Sequence, residues 1–306
     1  MKVKVSTVAF STNEYLVQKL FEAFPHAQIN SEGIRIPEES LVEYFSGAEA
    51  IIVGLEKITG PILDQLPDLK IIAKFGVGLD NIDIEACRER NIQIGWTGGV
   101  NKRSVAEMTL GFMLSLCRNL YSTSNQLKQL IWNKSGGIQL TNRTIGIIGL
   151  GNIGKELLIL LKPFNCRILV NDITNLSSLK NTGDFEIVSK EQIYRESDII
   201  TIHTPLTKLT DNLINENVFN KMKRGSFLIN TARGGIVNEE ALKNALMSDH
   251  LGGAAIDVYL NEPPINKDLL SIPNLICTPH TGGNANEAVI AMGESAIEHL
   301  LAYKNN

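Results

Sequence analysis

Residues 144–172 read TIGIIGLGNIGKELLILLKPFNCRILVND, and the order of parts in this stretch decides the fold. An apolar run ends in Ile147 and Ile148. It leads into Gly149-Leu150-Gly151-Asn152-Ile153-Gly154, then into a segment of helical period, then into a second apolar run that stops at Asp172. Gly149 permits a tight turn out of the first strand. Gly151 has no Cβ to hold a ligand off the backbone, and Gly154 lets the helix pack closely on the sheet. The amides near Asn152 and Ile153 open the helix, where unpaired N–H groups and the positive end of the dipole favour phosphate. A glycine triplet alone is weak evidence. The strand before it, the helix after it and the acid closing the next strand make it a dinucleotide site. Asp172 would accept hydrogen bonds from both ribose hydroxyls and repel a 2′-phosphate. No Arg or Lys follows in Asp172-Ile173-Thr174-Asn175, which favours NAD over NADP.

The bulk of the chain is compatible with that reading. Its 306 residues suffice for two domains of ordinary size. A formal net charge of −4 gives no reason to expect nucleic acid or an anionic membrane as partner. Apolar runs are short and interrupted, so none is expected to span a bilayer. The opening MKVKVSTVAF reads as a first β-strand rather than a signal peptide. Cys87, Cys117, Cys166 and Cys277 are scattered and form no C-x-x-C pair, the pattern of reduced thiols in a cytoplasmic protein. No His/Cys cluster has ligand spacing, so no metal is expected.

Short β-rich runs alternate with helix-period segments throughout, the pattern of α/β folds with parallel sheets. Strands are expected near Val3–Ala9, Ala50–Val53, Lys70–Ala73 and Ile92–Gly95, with helices around Glu14–Ala23, Glu39–Phe45, Ile62–Gln65 and Ile84–Arg90. A second series of strands begins at Thr144 and runs through 167–171, 185–188, 198–202, 226–230, 253–257 and 275–277. Two long helical segments, Ser104–Leu120 and Glu287–Tyr303, fit neither series and read as crossovers. The expected architecture is two doubly wound domains, Rossmann-like or flavodoxin-like, joined by these crossover helices. A discontinuous substrate-binding domain would comprise 1–98 and 286–306, and a cofactor domain 99–285. Substrate would sit in a cleft between them.

Three side chains that follow strand-like runs offer acid–base chemistry. Arg233, in Leu228-Ile229-Asn230-Thr231-Ala232-Arg233-Gly234-Gly235, presents a planar fork suited to a carboxylate or a polarised carbonyl. His280, in Thr278-Pro279-His280-Thr281-Gly282-Gly283, is the best proton-transfer candidate of the five histidines. His203 ends a strand and could touch a cofactor through its backbone. Glu262, held before Pro263-Pro264, could hydrogen-bond His280, fix its tautomer and favour its charged form. In Lys74-Phe75-Gly76-Val77-Gly78-Leu79-Asp80-Asn81, two glycines could expose amides as an anion nest beside the Lys74 charge, or form an ordinary turn.

Seven segments taken together resemble the D-isomer-specific 2-hydroxyacid dehydrogenases, and among them those acting on 3-phosphoglycerate. They are KFGVGLDNID, NKRSVAE, GIIGLGNIG, IHTPLT, LINTARGGIVNEEAL, AAIDVYLNEPP and TPHTGG. The resemblance implies catalysis by Arg233, Glu262 and His280. It implies NAD contacts at Thr97, Gly149, Gly151, Asn152, Ile153, Gly154, Asp172, Thr204, Thr231, Ala232, Asp257 and Gly282, with Asp257 on the nicotinamide amide. Substrate contacts would fall on Lys74, Val77, Gly78 and Arg233. The reaction implied is reversible hydride transfer between NAD and a small D-2-hydroxy acid. The leading substrate is 3-phosphoglycerate, with glyoxylate or hydroxypyruvate as the alternative. An NAD-sensing corepressor-like protein is the alternative of another class. A homodimer is implied, with Trp132 as an interface anchor. Two positions depart from the pattern. Lys74 stands where phosphoglycerate enzymes usually place Arg, and Thr97-Gly98-Gly99 replaces the usual Thr-Pro.

Overall fold

The computed structural model describes residues 1–176 and 185–305. They divide into two compact units, Met1–Asn101 with Gly283–Asn306, and Lys102–Gly282. In the first unit four parallel strands lie side by side in chain order: β1 (Val3–Val5), β2 (Ala50–Val53), β3 (Ile71–Lys74) and β4 (Gln93–Gly95). Every residue of β2 and β3 is buried, as a sheet covered on both faces requires. Alternate residues serve opposite faces. Val5, Ile52, Ile71 and Ala73 pack with Leu16, Leu20, Met292 and Leu300, so the C-terminal helix Asn286–Asn305 completes this core. Ile51, Val53 and Ile72 pack on the other side with Leu41, Phe45, Leu63 and Cys87. The helix Glu14–Ala23 starts where Asn13 Oδ1 accepts from Leu16 N–H at 3.1 Å.

The second unit contains β5 (Thr144–Ile148), β6 (Arg167–Asn171), β7 (Glu186–Ile187), β8 (Ile199–Ile202), β9 (Ser226–Asn230), β10 (Leu251–Ile256) and β11 (Leu275–Cys277). Among the described residues they form one parallel sheet in the order β11-β10-β9-β8-β5-β6-β7. The chain runs outward from β5 through β6 to β7, then returns to β8 on the other side of β5. That reversal leaves a crevice beyond the carboxyl ends of β5 and β8, the place where open α/β sheets bind ligands. One face of the sheet packs Ile145, Ile147, Val170 and Ile229 under the helices Lys102–Cys117 and Asn152–Leu161.

Two expected elements are corrected. The first strand stops at Val5 instead of Ala9, and Val8–Ser11 form a helical turn that buries Phe10 edge-on against Phe75, with ring centroids 5.9 Å apart. A short apolar run carries too little periodicity to separate strand from turn. The single helix expected over Ser104–Leu120 is broken: Lys102–Cys117 ends, Asn119 takes φ 53°, and a second helix spans Leu120–Lys128. Asparagine tolerates this left-handed conformation at little cost.

Gly154 tests the packing at the start of the helix Asn152–Leu161. A Cβ there would overlap the carbonyl oxygen of Gly149, a backbone atom of the preceding turn. Gly154→Ala is expected to lower unfolding free energy by roughly 1–3 kcal/mol through overpacking, in spite of the better helix propensity of Ala. Urea denaturation reads the effect as a lower midpoint at unchanged slope; an unaltered midpoint would refute the tight packing.

Candidate active site

The turn after β5 brings five of the expected residues together. Gly149 has φ 98°, and a Cβ on it would lie 2.6 Å from the His203 carbonyl oxygen at the end of β8. Gly151, by contrast, faces open space within 4 Å. It precedes the helix Asn152–Leu161 without a side-chain cap, and the N–H groups of Asn152 and Ile153 meet no acceptor among the described residues. These are the orphan donors that attract phosphate. Asp172 follows β6 directly. Its Oδ2 accepts from Leu150 N–H at 2.6 Å, and its Oδ1 from the N–H and hydroxyl of Thr174 at 2.7 and 2.8 Å. Burial opposes ionisation of Asp172, but the hydrogen bonds from Thr174 and Leu150 outweigh it and hold the carboxyl below its ordinary value. Three donors meet a carboxylate with about four acceptor positions, so capacity remains for a ligand hydroxyl.

Beside this turn, burial pushes His203 down to about 3, so its ring is neutral. One ring nitrogen shares a 2.9 Å hydrogen bond with Thr201 Oγ1. Its Nδ1, and Thr204 Oγ1 one residue on, are buried without a partner among the described residues. Buried polar atoms are normally paired, and a dinucleotide in the crevice would supply partners. The donor set, the anion and the orphaned atoms all fit NAD.

Three loops after β9, β10 and β11 bring Arg233, Glu262 and His280 into one cluster. Asn230, buried at the end of β9, shapes the first loop from both ends of its amide. Its Oδ1 accepts from Ala232 N–H at 3.0 Å and its Nδ2 donates to the Arg233 carbonyl at 2.9 Å. Gly234 then presses on the backbone after β10, where any Cβ would overlap the Tyr259 carbonyl. Glu239 reinforces this contact by accepting from Leu260 N–H at 2.8 Å. Arg233 is half-buried and donates through Nη1 to the Ala232 carbonyl at 2.7 Å.

Glu262 accepts from Tyr259 N–H at 3.1 Å through Oε1, and its Oε2 lies 2.7 Å from His280 Nδ1. Burial disfavours the Glu262 carboxylate, yet the His280 hydrogen bond and charge, the Tyr259 amide and the Arg233 charge together hold it below its ordinary value. Asp257, fully buried, ties the His280 loop down. It accepts from the Thr278 hydroxyl at 2.6 Å and from the N–H groups of Thr281 and Gly282 at 2.8 and 2.7 Å. Tyr259 adds a hydrogen bond from its hydroxyl to the Thr278 carbonyl at 2.9 Å. Within this frame His280 adopts φ 54°, a conformation uncommon outside glycine. With Nδ1 committed to Glu262, Nε2 is the atom left to exchange a proton with a ligand.

The remaining expected contacts are placed as follows. Thr231 Oγ1 lies 3.2 Å from Thr109 Oγ1, and the Gly282 carbonyl accepts from Ser104 Oγ at 2.6 Å, both within the second unit. Lys74, Val77, Gly78 and Thr97 belong to the first unit. The Lys74 ammonium is buried and donates to the Gly54 carbonyl and, at 2.6 Å, to Asn81 Oδ1. Thr97 Oγ1 accepts from Ser295 Oγ and pairs with His299 Nε2, each at 2.9 Å. Sequence reasoning gave no role to Asn230, whose partners are two and three residues on, or to Asn81 and Trp96, whose carbonyl partners lie 19 or more residues away. Among the described residues no three His, Cys, Asp or Glu side chains form a group that could hold a metal ion.

Comparisons with known proteins agree with the fold and with NAD as the cofactor. A family model described as the NAD binding domain of D-isomer specific 2-hydroxyacid dehydrogenases matches residues 110–282. A hydroxypyruvate reductase of Thermotoga maritima is 35% identical over 281 residues, covering 89% of this chain and 90% of that protein. A D-3-phosphoglycerate dehydrogenase of Methanocaldococcus jannaschii is 34% identical over 87% of this chain, which spans only 51% of that relative's length. The structure of an Aquifex aeolicus D-lactate dehydrogenase complexed with NAD and lactic acid superposes with a TM-score of 0.84 at 27% identity, covering 100% of this chain and 96% of that one.

The Glu262–His280 pair makes a pH-dependent prediction. Because folding lowers the Glu262 pKa from its ordinary 4.5, its contribution to stability is complete above that value and is lost as pH falls through the lower, folded value. Glu262→Gln is expected to cost about 1 kcal/mol at pH 7, the low end for a partly exposed charge-assisted bond. Thermal denaturation from pH 7 to pH 3 checks it. The gap between variant and wild type should close as pH drops below 4.5, and a constant gap would exclude a stabilising carboxylate.

Proposed function

Because the chain belongs to the D-isomer-specific 2-hydroxyacid dehydrogenase family and is an NAD-dependent oxidoreductase, we propose that it interconverts a short D-2-hydroxy acid and its 2-oxo acid through His280, Glu262 and Arg233. The observation that carries the proposal is the 2.7 Å pair of Glu262 Oε2 and His280 Nδ1, in a cluster that Arg233 joins through its charge on Glu262. NAD, when bound, supplies the hydride acceptor or donor. Gly149 to Ile153 and Asp172 would hold its phosphates and ribose, and Thr204 Oγ1 and His203 Nδ1 would gain partners from it.

In this reading His280 Nε2 removes the hydroxyl proton of the hydroxy acid in one direction and returns it to the oxo acid in the other. Glu262 keeps Nδ1 as the donor nitrogen and stabilises the imidazolium while the proton resides there. Arg233 places a cation on the carboxylate and the neighbouring carbonyl oxygen, where negative charge develops during reduction. Val77 and Gly78, in the first unit, are proposed as further substrate contacts. Asp257 holds the Thr278–Gly282 loop in register and keeps about one acceptor position for the nicotinamide amide. Among the described residues no helix is long and apolar enough to cross a membrane. Four unpaired cysteines support a cytoplasmic location for the enzyme. Leu130, Ile131 and Trp132, which are 94%, 51% and 77% exposed, support a homodimer that covers them.

His280→Ala is expected to lower kcat by roughly 10²- to 10⁴-fold for glyoxylate and hydroxypyruvate, while NADH affinity stays within about threefold. NADH-coupled rates and calorimetric titration separate the two quantities. Full activity in the variant would remove His280 from the mechanism. Trp132→Glu is expected to shift the protein to a monomer in sedimentation analysis; a monomeric wild type would rule out the homodimer.

A further inference from the structure

We propose that Lys74, Asn81 and Trp96 form a frame that presents the amides of Gly76, Val77 and Gly78 to a single carboxylate, with Lys74 acting as a positioning residue and not as an anion ligand. The proposal rests on the functional reading above, because it takes the carboxylate to be the substrate's.

All the participants lie at or beyond the carboxyl ends of β2, β3 and β4, the end of a parallel sheet where ligands bind. The N–H groups of Gly76, Val77 and Gly78 meet no acceptor among the described residues, although all three residues are half-buried. Gly76 has φ 138°, which a side chain would not tolerate well. Consecutive unpaired amides at such a turn make an anion-binding concavity.

The frame fixes where those amides point. Trp96 Nε1 donates to the Val77 carbonyl at 2.8 Å. In a trans peptide the carbonyl and the following N–H point in opposite directions. The indole therefore aims the Gly78 N–H away from itself. On the other side of the loop, Asn81 Nδ2 donates to the Gly54 and Glu56 carbonyls at 3.1 and 2.6 Å, while its Oδ1 receives the Lys74 ammonium. Glu56 closes this side by accepting from Gly54 N–H at 2.6 Å.

Lys74 is only 5% exposed, and its ammonium is turned to Gly54 and Asn81. Reaching outward to a phosphate would take a donor away from both acceptors, at a cost comparable to the hydrogen bond that a phosphate oxygen could offer in exchange. Its charge instead raises the potential around the loop while its hydrogen bonds hold the loop's two ends. The site then recognises one carboxylate through backbone donors, and a phosphoryl group finds no specific partner in Lys74. That favours acids with a single anionic group over phosphorylated ones.

Calorimetric titration with D-glycerate, D-lactate and 3-phospho-D-glycerate, each with NADH present so that no hydride can move, tests the frame. Lys74→Met is expected to weaken the unphosphorylated and phosphorylated acids by the same factor, roughly 3- to 10-fold, with NADH affinity unchanged. Trp96 is 41% exposed, so Trp96→Phe should fold even if Lys74→Met does not. Its KM for glyoxylate should rise by a similar factor, with kcat altered less. A loss confined to 3-phospho-D-glycerate in Lys74→Met would make Lys74 a phosphate ligand and overturn the proposal. So would wild-type affinities in folded variants, or a wild type that binds none of the acids. Acid binding without turnover of any 2-hydroxy or 2-oxo acid would instead defeat the functional reading and leave the frame standing.

Discussion

One buried carboxylate, Asp257, ties together the loops that carry His280 and Glu262. A carboxylate taken out of water is strongly unfavourable unless its lone pairs are filled. Here the Thr278 hydroxyl and the Thr281 and Gly282 amides fill three of them. All three donors come from the loop after β11, while Asp257 itself stands at the end of β10. The desolvation cost thus becomes a positional constraint, since the loop cannot move without exposing an unpaired buried charge. Gly282 shows how tight the fit is, for a Cβ there would come within 2.9 Å of Asp257 Oδ2.

That constraint explains how His280 is kept at φ 54°. A left-handed histidine stores strain of order 1 kcal/mol or more, and surroundings that over-determine the backbone must hold it there. Asp257 and Tyr259 anchor Thr278 and Thr281 on either side of the residue, so the backbone is set before the imidazole meets Glu262. The Glu262 hydrogen bond then has to orient only a ring and not a loop. Its 2.7 Å length follows from two loops positioned independently of it.

The two units solve related problems with the same elementary device. Each places unpaired amides beyond the carboxyl end of a parallel sheet, and each governs them with side chains from neighbouring strands. In the second unit Asp172 holds Leu150 N–H while Asn152 and Ile153 stay open. In the first unit Trp96 holds the Val77 carbonyl and Asn81 ties the end of the loop to the Gly54 and Glu56 carbonyls, while the amides of 76–78 stay open. Backbone donors suit anions because they are fixed before the ligand arrives and lose little freedom on binding.

Much of this was legible in the sequence, for reasons that differ residue by residue. Strand, glycine turn, helix and acid over 144–172 are local features whose spacing the nucleotide crevice dictates; β5 begins at the expected Thr144, the helix follows the glycine turn, and β6 covers the expected residues. Arg233, Glu262 and His280 could be picked out because each follows a strand and the chemistry needs those side chains. Asn81 and Trp96 could not. Trp96 reaches Val77 across 19 residues and Asn81 reaches Gly54 across 27, and nothing in either stretch announces the other. Lys74 is the most instructive case. A lysine beside two glycines reads as an exposed cation waiting for an anion, because charge is normally solvated. Burying it requires acceptors from elsewhere in the chain, and the carbonyl of Gly54 and the amide of Asn81 supply them only once β2 and β3 lie side by side. The direction in which a side chain points is a tertiary property, and for a long flexible cation it decides whether the charge reads a ligand or holds the loop that does.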